Sequence, residues 1–290
     1  MNIIFQINGG IGKSVMATAV CKAIKKQYPE CKLIVITGYP DVFSNNPIVD
    51  MAFNHGHESY FYTKYVENKE VKIFANEPYL VTEHILGKEH LIETWCKMNG
   101  IAYHGEMPEV HINEREFNFY NNKYPLSKPI MILQTNGGGQ TDIKYSWARD
   151  MPRDMVKSII EEFKDKYDIC HIRRDDQLAY DNTIHIQDSF KGIACLIARS
   201  EKRILIDSFC QHTAAALQRK SSVLWVVNKP NVFGYEMHDN ILSNPENGIP
   251  DLRNAQLTKY NIGGAPNEFP YQMEKDIFNL DRIITSIMNQ

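Results

Sequence analysis

A chain of 290 residues with 43% hydrophobic and 23% charged side chains has an ordinary globular composition, long enough for two domains of about 130 to 150 residues each. Its apolar runs all fall short of the roughly 20 residues that span a bilayer, which argues against a membrane-spanning helix. A net charge of −3 gives no global attraction to nucleic acid or anionic membrane, while leaving room for a local basic groove.

The first residues lack the basic leader and cleavage site of a secretory signal and read instead as a strand, Ile3 to Ile7, so a cytoplasmic location is expected. A glycine turn (Gly9, Gly10, Gly12) leads into a helix from about Ser14 to Gln27 and a strand at Lys32 to Thr37, a βαβ unit. Val15, Ala19, Val20 and Ile24 recur at helical spacing and would pack on the sheet, with Lys22, Lys25 and Lys26 toward solvent. Asp41 to Asp50 reads as a short helix, a break and the start of another strand, whereas residues 54 to 80 show no clear period. Glu89 to Met98 has the pattern of an amphipathic helix stopped by Asn99-Gly100.

Pro125 and Pro129 bracket a polar turn, after which Ile130 to Gln134 opens a new strand; the domain boundary is placed between 126 and 127. The α/β rhythm then repeats: helix from Arg153 to Tyr167, strand Ile169 to Ile172, helix Phe190 to Ala198, strand Ile204 to Ile206, helix Thr213 to Leu217 and strand Val223 to Val227. Residues 127–270 form the second domain, and 272–288 a last helix with Ile277, Leu280, Ile283, Ile284 and Ile287 as its apolar stripe. Cysteines at 21, 31, 96, 170, 195 and 210 show no CxxC pair or zinc spacing and are expected to be reduced thiols; no metal site is expected.

Two constellations carry chemistry. The stretch Gly9-Gly10-Ile11-Gly12-Lys13-Ser14 looks like the end of a phosphate-binding P-loop, in which Lys13 would grip nucleotide phosphates alongside magnesium. The full pattern needs a glycine where Ile7 stands, and no aspartate-bearing Walker B strand follows; an ATPase with a deviant loop is kept as an alternative. The second is Asp207-Ser208-Phe209-Cys210-Gln211-His212, between an apolar strand and an alanine-rich helix. That turn lies where open α/β sheets bind ligands, and the free amides of a helix start hold phosphate. The plainer reading is that Asp207 or Ser208 merely caps the helix.

Motifs in both halves resemble glycosyltransferase family 9, the ADP-heptose:lipopolysaccharide heptosyltransferases. They are Gly10-Ile11-Gly12, Ala17-Thr18-Ala19, Tyr28-Pro29 and Asn46-Pro47-Ile48-Val49-Asp50 in the first half, and Asp207-Ser208 with His212 to Leu217 in the second. The resemblance implies an α/β fold of the GT-B type: two Rossmann-like domains facing a cleft, with the final helix (271–290) crossing back to pack toward the first. It implies a glycosyltransferase that moves a sugar from a nucleotide-activated donor to an acceptor hydroxyl, inverting and without a metal ion or other cofactor.

On that reading the donor side comprises Asn136, Gly137, Gly138, Lys144, Asp207, Ser208, Gln211 and His212, and the acceptor side Gly10, Gly12 and Lys13, with Lys13, Lys144 and Asp207 carrying the chemistry. His212 would touch the donor or fix the loop. The acceptor could be a glycan, a metabolite, a protein or a modified nucleobase. Lys13 stands where the family has its general-base aspartate, so another carboxylate is needed; Asp41 and Glu83 are candidates, and a catalytically silent sugar-nucleotide or glycan-binding module is the second alternative.

Overall fold

The computed structural model describes residues 1–137, 145–243, 269 and 271–290. It opens with the expected βαβ unit. The apolar run of β1 (Asn2–Ile7) and the β-branched run of β2 (Lys32–Thr37) pair in parallel, joined by α1 (Ile11–Gln27). Asp41 lies in a 3-10 turn, Pro40–Phe43, and the chain returns as β3 (Met51–Phe53). The stretch without a clear period holds α2 (Phe61–Tyr65) and β4 (Val71–Phe74), which pairs with β1. Among the described residues the first sheet is parallel, in the order β3-β2-β1-β4.

A 3-10 turn (Pro78–Leu80), α3 (Thr82–Ile85) and α4 (Leu91–Met98) complete the first unit. α5 (Glu114–Lys123) follows; sequence reading did not assign it, although Asn113 and Glu116 form a reciprocal capping box. It buries no residue of its own, yet it packs on the second unit. Tyr120 Oη meets Ser189 Oγ at 2.7 Å, and Lys123 and Tyr124 both donate to Asp188 Oδ2.

The second sheet is built from β5 (Ile130–Leu133), β6 (Asp168–Ile172), β7 (Ile184–Ile186), β8 (Lys202–Ile206), β9 (Ser222–Trp225) and β10 (Asp239–Leu242), parallel and in the order β10-β9-β8-β5-β6-β7. α6 (Arg153–Phe163), α7 (Phe190–Arg199), α8 (Phe209–Ala216) and α9 (Pro230–Phe233) connect the strands. All-buried runs such as Ile130–Leu133 and Ser222–Trp225 are what a parallel sheet covered on both faces requires.

The C-terminal segment corrects one expectation. A 3-10 turn (Glu274–Asp276) precedes a shorter helix, Leu280–Met288, capped by Asn279. Among the described residues its main contacts run to β8 and β9. Ile277, Ile283 and Ile287 join Met131, Ile204 and Leu224 in one core; Ser286 meets Ser222 at 2.6 Å, and Lys202 donates to Met288 O. An apolar stripe finds the nearest apolar sheet face, and this one belongs to its own unit.

The two units share a core. One cluster runs from Ile3, Phe5 and Trp95 through α1 to α7, α8, Val223 and Tyr235. α7 also sends Lys191 across, where its buried ammonium donates to Ser44 O and His111 O; desolvation lowers its pKa. The six cysteines are free and buried, and no helix among the described residues is long and apolar enough to cross a membrane.

Candidate functional site

The strand run ending at Ile206 and the helix starting at Phe209 leave Asp207 and Ser208 at the C-terminal edge of the second sheet, as the sequence suggested. Ser208 is the N-cap residue, but it makes no side-chain cap bond; its Oγ accepts from Gln134 Nε2 at 3.2 Å. The Asp207 carboxylate is buried and accepts from Asn228 Nδ2. Neither residue therefore does the plain capping job. Both side chains instead brace the turn between β8 and α8, Ser208 through Gln134 and Asp207 through Asn228.

Asp150 organises the neighbouring turn. Its Oδ1 accepts from Gly137 N at 2.8 Å, and its Oδ2 from Asn136 Nδ2 at 2.9 Å and Ser146 N at 2.8 Å. The Asn136 amide oxygen in turn accepts from Thr135 Oγ1. Arg149 donates from Nε to Asp207 O at 2.5 Å, bringing a guanidinium beside the start of α8. Gly137 makes room for it, because a Cβ there would lie 2.8 Å from Arg149 Cδ. Next to Asn136 opens a cavity of about 350 Å³ lined also by Tyr145, Arg153, Gln177 and Tyr180. It is of a size to take a small ligand.

On the first unit the glycine turn meets the second unit directly. A Cβ on Gly12 would come within 3.0 Å of His212 Cδ2 and 3.4 Å of Phe209 Cα, whereas one on Gly10 would meet nothing within 4 Å. Gly12 thus serves the crossing of α1 and α8, and Gly10 faces open space. Lys13 is 4% exposed; its Nζ reaches Glu77 Oε1 at 2.6 Å and Oε2 at 2.7 Å, and lies 4.8 Å from the Tyr79 ring centroid and 5.1 Å from that of Trp95. Ser14 is fully buried, with Oγ 3.0 Å from Thr37 Oγ1. A P-loop needs that lysine on phosphate and that hydroxyl on magnesium, and here both are engaged within the protein.

Gln211 was expected on the donor side, and His212 either there or fixing the loop; both side chains bond to the α9 region of the second unit. Gln211 Nε2 donates to Phe233 O at 2.9 Å, and His212 Nδ1 lies 2.9 Å from Tyr235 Oη. Burial, with His90, His238 and Arg149 nearby, holds the His212 pKa well below the usual histidine value, so the ring is neutral. Asp41 and Glu83 are exposed surface residues. Gly138, Gly139 and Lys144 lie outside the described residues. The residues that sequence reading missed are Glu77, Arg149 and Asp150. Glu77 carries no local motif; Arg149-Asp150 directly precedes the Met151-Pro152 entry to α6, a signal that could have been used.

No protein-family model matches the chain, and no curated protein matches it by sequence. Solved structures do. The glycosyl transferase family 9 protein from Veillonella parvula superposes with a TM-score of 0.68 at 10% identity, over 99% of this chain and 96% of that one. The ADP-heptose lps heptosyltransferase II of E. coli gives 0.63 at 15% identity, over 90% and 100%. The E. coli heptosyltransferase WaaC with ADP gives 0.56 at 12% identity, over 90% and 98%.

The chain has a GT-B fold. Within it, the Gly10 turn and the Asp207 turn sit at the strand ends of the two sheets, where α/β sheets receive ligands. A small crevice of about 30 Å³ lies between residues 84–87 of the first unit and 227–233 of the second.

Proposed function

We propose that this chain is a glycosyltransferase that takes a sugar from a nucleotide-activated donor and passes it to an acceptor hydroxyl, inverting at the anomeric carbon without a metal ion. The observation that carries the reading is the β8–α8 turn. A helix start whose N-cap side chain makes no cap bond has Arg149 beside it and lies at a strand edge of a GT-B fold. Amide dipoles and a guanidinium are what a departing nucleoside diphosphate needs to stabilise its charge.

The donor's base would enter the cavity beside Asn136, near Tyr145 and Tyr180, with Asp150 holding its wall. Lys144 would neutralise a phosphate oxygen from the segment that follows. Asp207 supports the turn through Asn228 and its own carbonyl on Arg149. WaaC with ADP is an instance of this fold with a nucleotide.

The test is titration calorimetry with ADP, GDP and UDP and with their nucleotide sugars, each with and without EDTA. At least one should bind in EDTA, and Asp207→Ala and Lys144→Ala should each weaken it tenfold or more with the circular dichroism spectrum unchanged. Absence of nucleotide binding in the wild type, or near-native binding in both variants, would overturn the reading. The acceptor-side group is the Gly10 turn, which opens to space that a Cβ would not fill.

A further inference from the structure

Transfer to a hydroxyl also requires a group to take its proton, and the buried end of α1 bears on which group that is. We propose that Glu77 is the base that receives the acceptor's proton and that Lys13 is its positioning residue; this rests on the transferase reading above.

Glu77 follows β4 at the C-terminal edge of the first sheet, beside the glycine turn after β1. The ion pair is one-sided: the Lys13 side chain is 3% exposed and that of Glu77 30%. The ammonium therefore lies inside, between the Tyr79 and Trp95 rings, and the carboxylate forms the wall. Lys13 contacts both carboxylate oxygens, and Tyr79 N donates to Oε1 at 3.3 Å, so the group is fixed in orientation. Its place relative to the donor follows from the chain. Gly12, one residue before Lys13, touches Phe209 and His212 at the start of α8, and Tyr79, two residues after Glu77, reaches the Phe233 ring of the second unit at 6.2 Å.

In the step itself, the acceptor O–H gives its proton to a Glu77 oxygen while the acceptor oxygen forms a bond to the anomeric carbon. The bond from that carbon to the diphosphate oxygen breaks, and the nucleoside diphosphate leaves with the electron pair. Glu77 then returns its proton to water, which its partial exposure permits.

Glu77→Gln, Glu77→Asp, Lys13→Met and Lys13→Arg test the assignment, with ADP-glucose, UDP-glucose and GDP-mannose as donors and water and methyl glycosides as acceptors. Donor affinity is read by calorimetry, turnover by nucleoside diphosphate release, and folding by circular dichroism. In Glu77→Gln, donor affinity should stay within threefold of wild type, kcat should fall at least 100-fold, and the acid limb of the pH–kcat profile should vanish. Glu77→Asp, with its shorter reach, should fold and lose most turnover, which keeps the test open if the glutamine variant does not fold.

Lys13→Met should lower kcat about tenfold at unchanged donor KM and move the acid limb to higher pH, because the carboxylate has lost its cation; Lys13→Arg should restore the limb. Turnover of Glu77→Gln within threefold of wild type, or a pH profile that Lys13→Met leaves in place, overturns the proposal while the transferase reading stands. A wild-type chain that turns over none of the three donors overturns this proposal, and one that binds none overturns the transferase reading as well.

Discussion

Gly12 and His212 face each other across the two units so closely that a Cβ on Gly12 would lie 3.0 Å from the imidazole Cδ2. The glycine of the turn is thereby accounted for by packing between α1 and α8, before any ligand is considered. Gly12→Val should therefore destabilise the protein by about 1 to 3 kcal/mol through overpacking. Urea unfolding followed by fluorescence measures this, and unchanged stability would show that the helices can part at no cost.

Acid should weaken the fold in a defined window. Burial lowers the pKa of His90 and His238 to about 4 and of His171 to about 3, and that of His212 well below its ordinary value. These rings are neutral when folded and take up protons more readily when unfolded, near pH 6.5. Stability should be complete above pH 6.5, fall as pH drops from there toward 4, and each ring should cost on the order of a few kcal/mol across the window. Asp188 and Asp239, whose pKa values are lowered, add their losses only below about pH 4. Thermal melts at half-unit steps between pH 8 and 4 check this; a flat melting temperature down to pH 4.5 would contradict it.

Ser14 should behave as a structural hydroxyl. Ser14→Ala removes its bond to Thr37 and should cost about 1 kcal/mol, leaving nucleotide affinity unchanged. Titration of the wild type with ATP and magnesium should show no magnesium-dependent binding. Such binding, abolished by Lys13→Ala, would instead favour the ATPase.

Asp150 accepts from three donors in two segments, so Asp150→Ala leaves Asn136, Gly137 and Ser146 unpaired together. We expect a stability loss of about 2 kcal/mol or more and at least a tenfold loss of donor affinity. Asp150→Asn, which keeps one acceptor, should fall between. Calorimetric titration alongside urea unfolding separates the two effects.

Much of the fold was legible because its signal is local. β1, α1 and β2 are apolar runs bounded by glycine and proline, and the Asp207 turn stands between a strand run and an alanine-rich helix. β4 was not legible: an edge strand with Lys72 and Ile73 exposed has neither clean alternation nor a buried run. The Lys13–Glu77 pair spans 64 residues, so no window of sequence could have joined them. The partners of Gln211 and His212, Phe233 O and Tyr235 Oη, had no local signal, because periodicity puts a residue on a face of a helix and not opposite a particular neighbour. The final helix has a clear stripe, but a stripe does not say which sheet it will cover.

The six buried cysteines divide evenly, with 21, 31 and 96 in the first unit and 170, 195 and 210 in the second. Burial raises every one of these thiols, Cys96 and Cys170 to about 12 and Cys195 to about 11, so the folded chain should ignore a maleimide at neutral pH. Each half thus carries three native reporters of its own opening. Pulsed alkylation followed by peptide mass analysis can time the loss of structure in the two halves separately, with no label added by mutation. Simultaneous labelling would mark the shared core as one cooperative body, and staggered labelling would reveal which half lets go first.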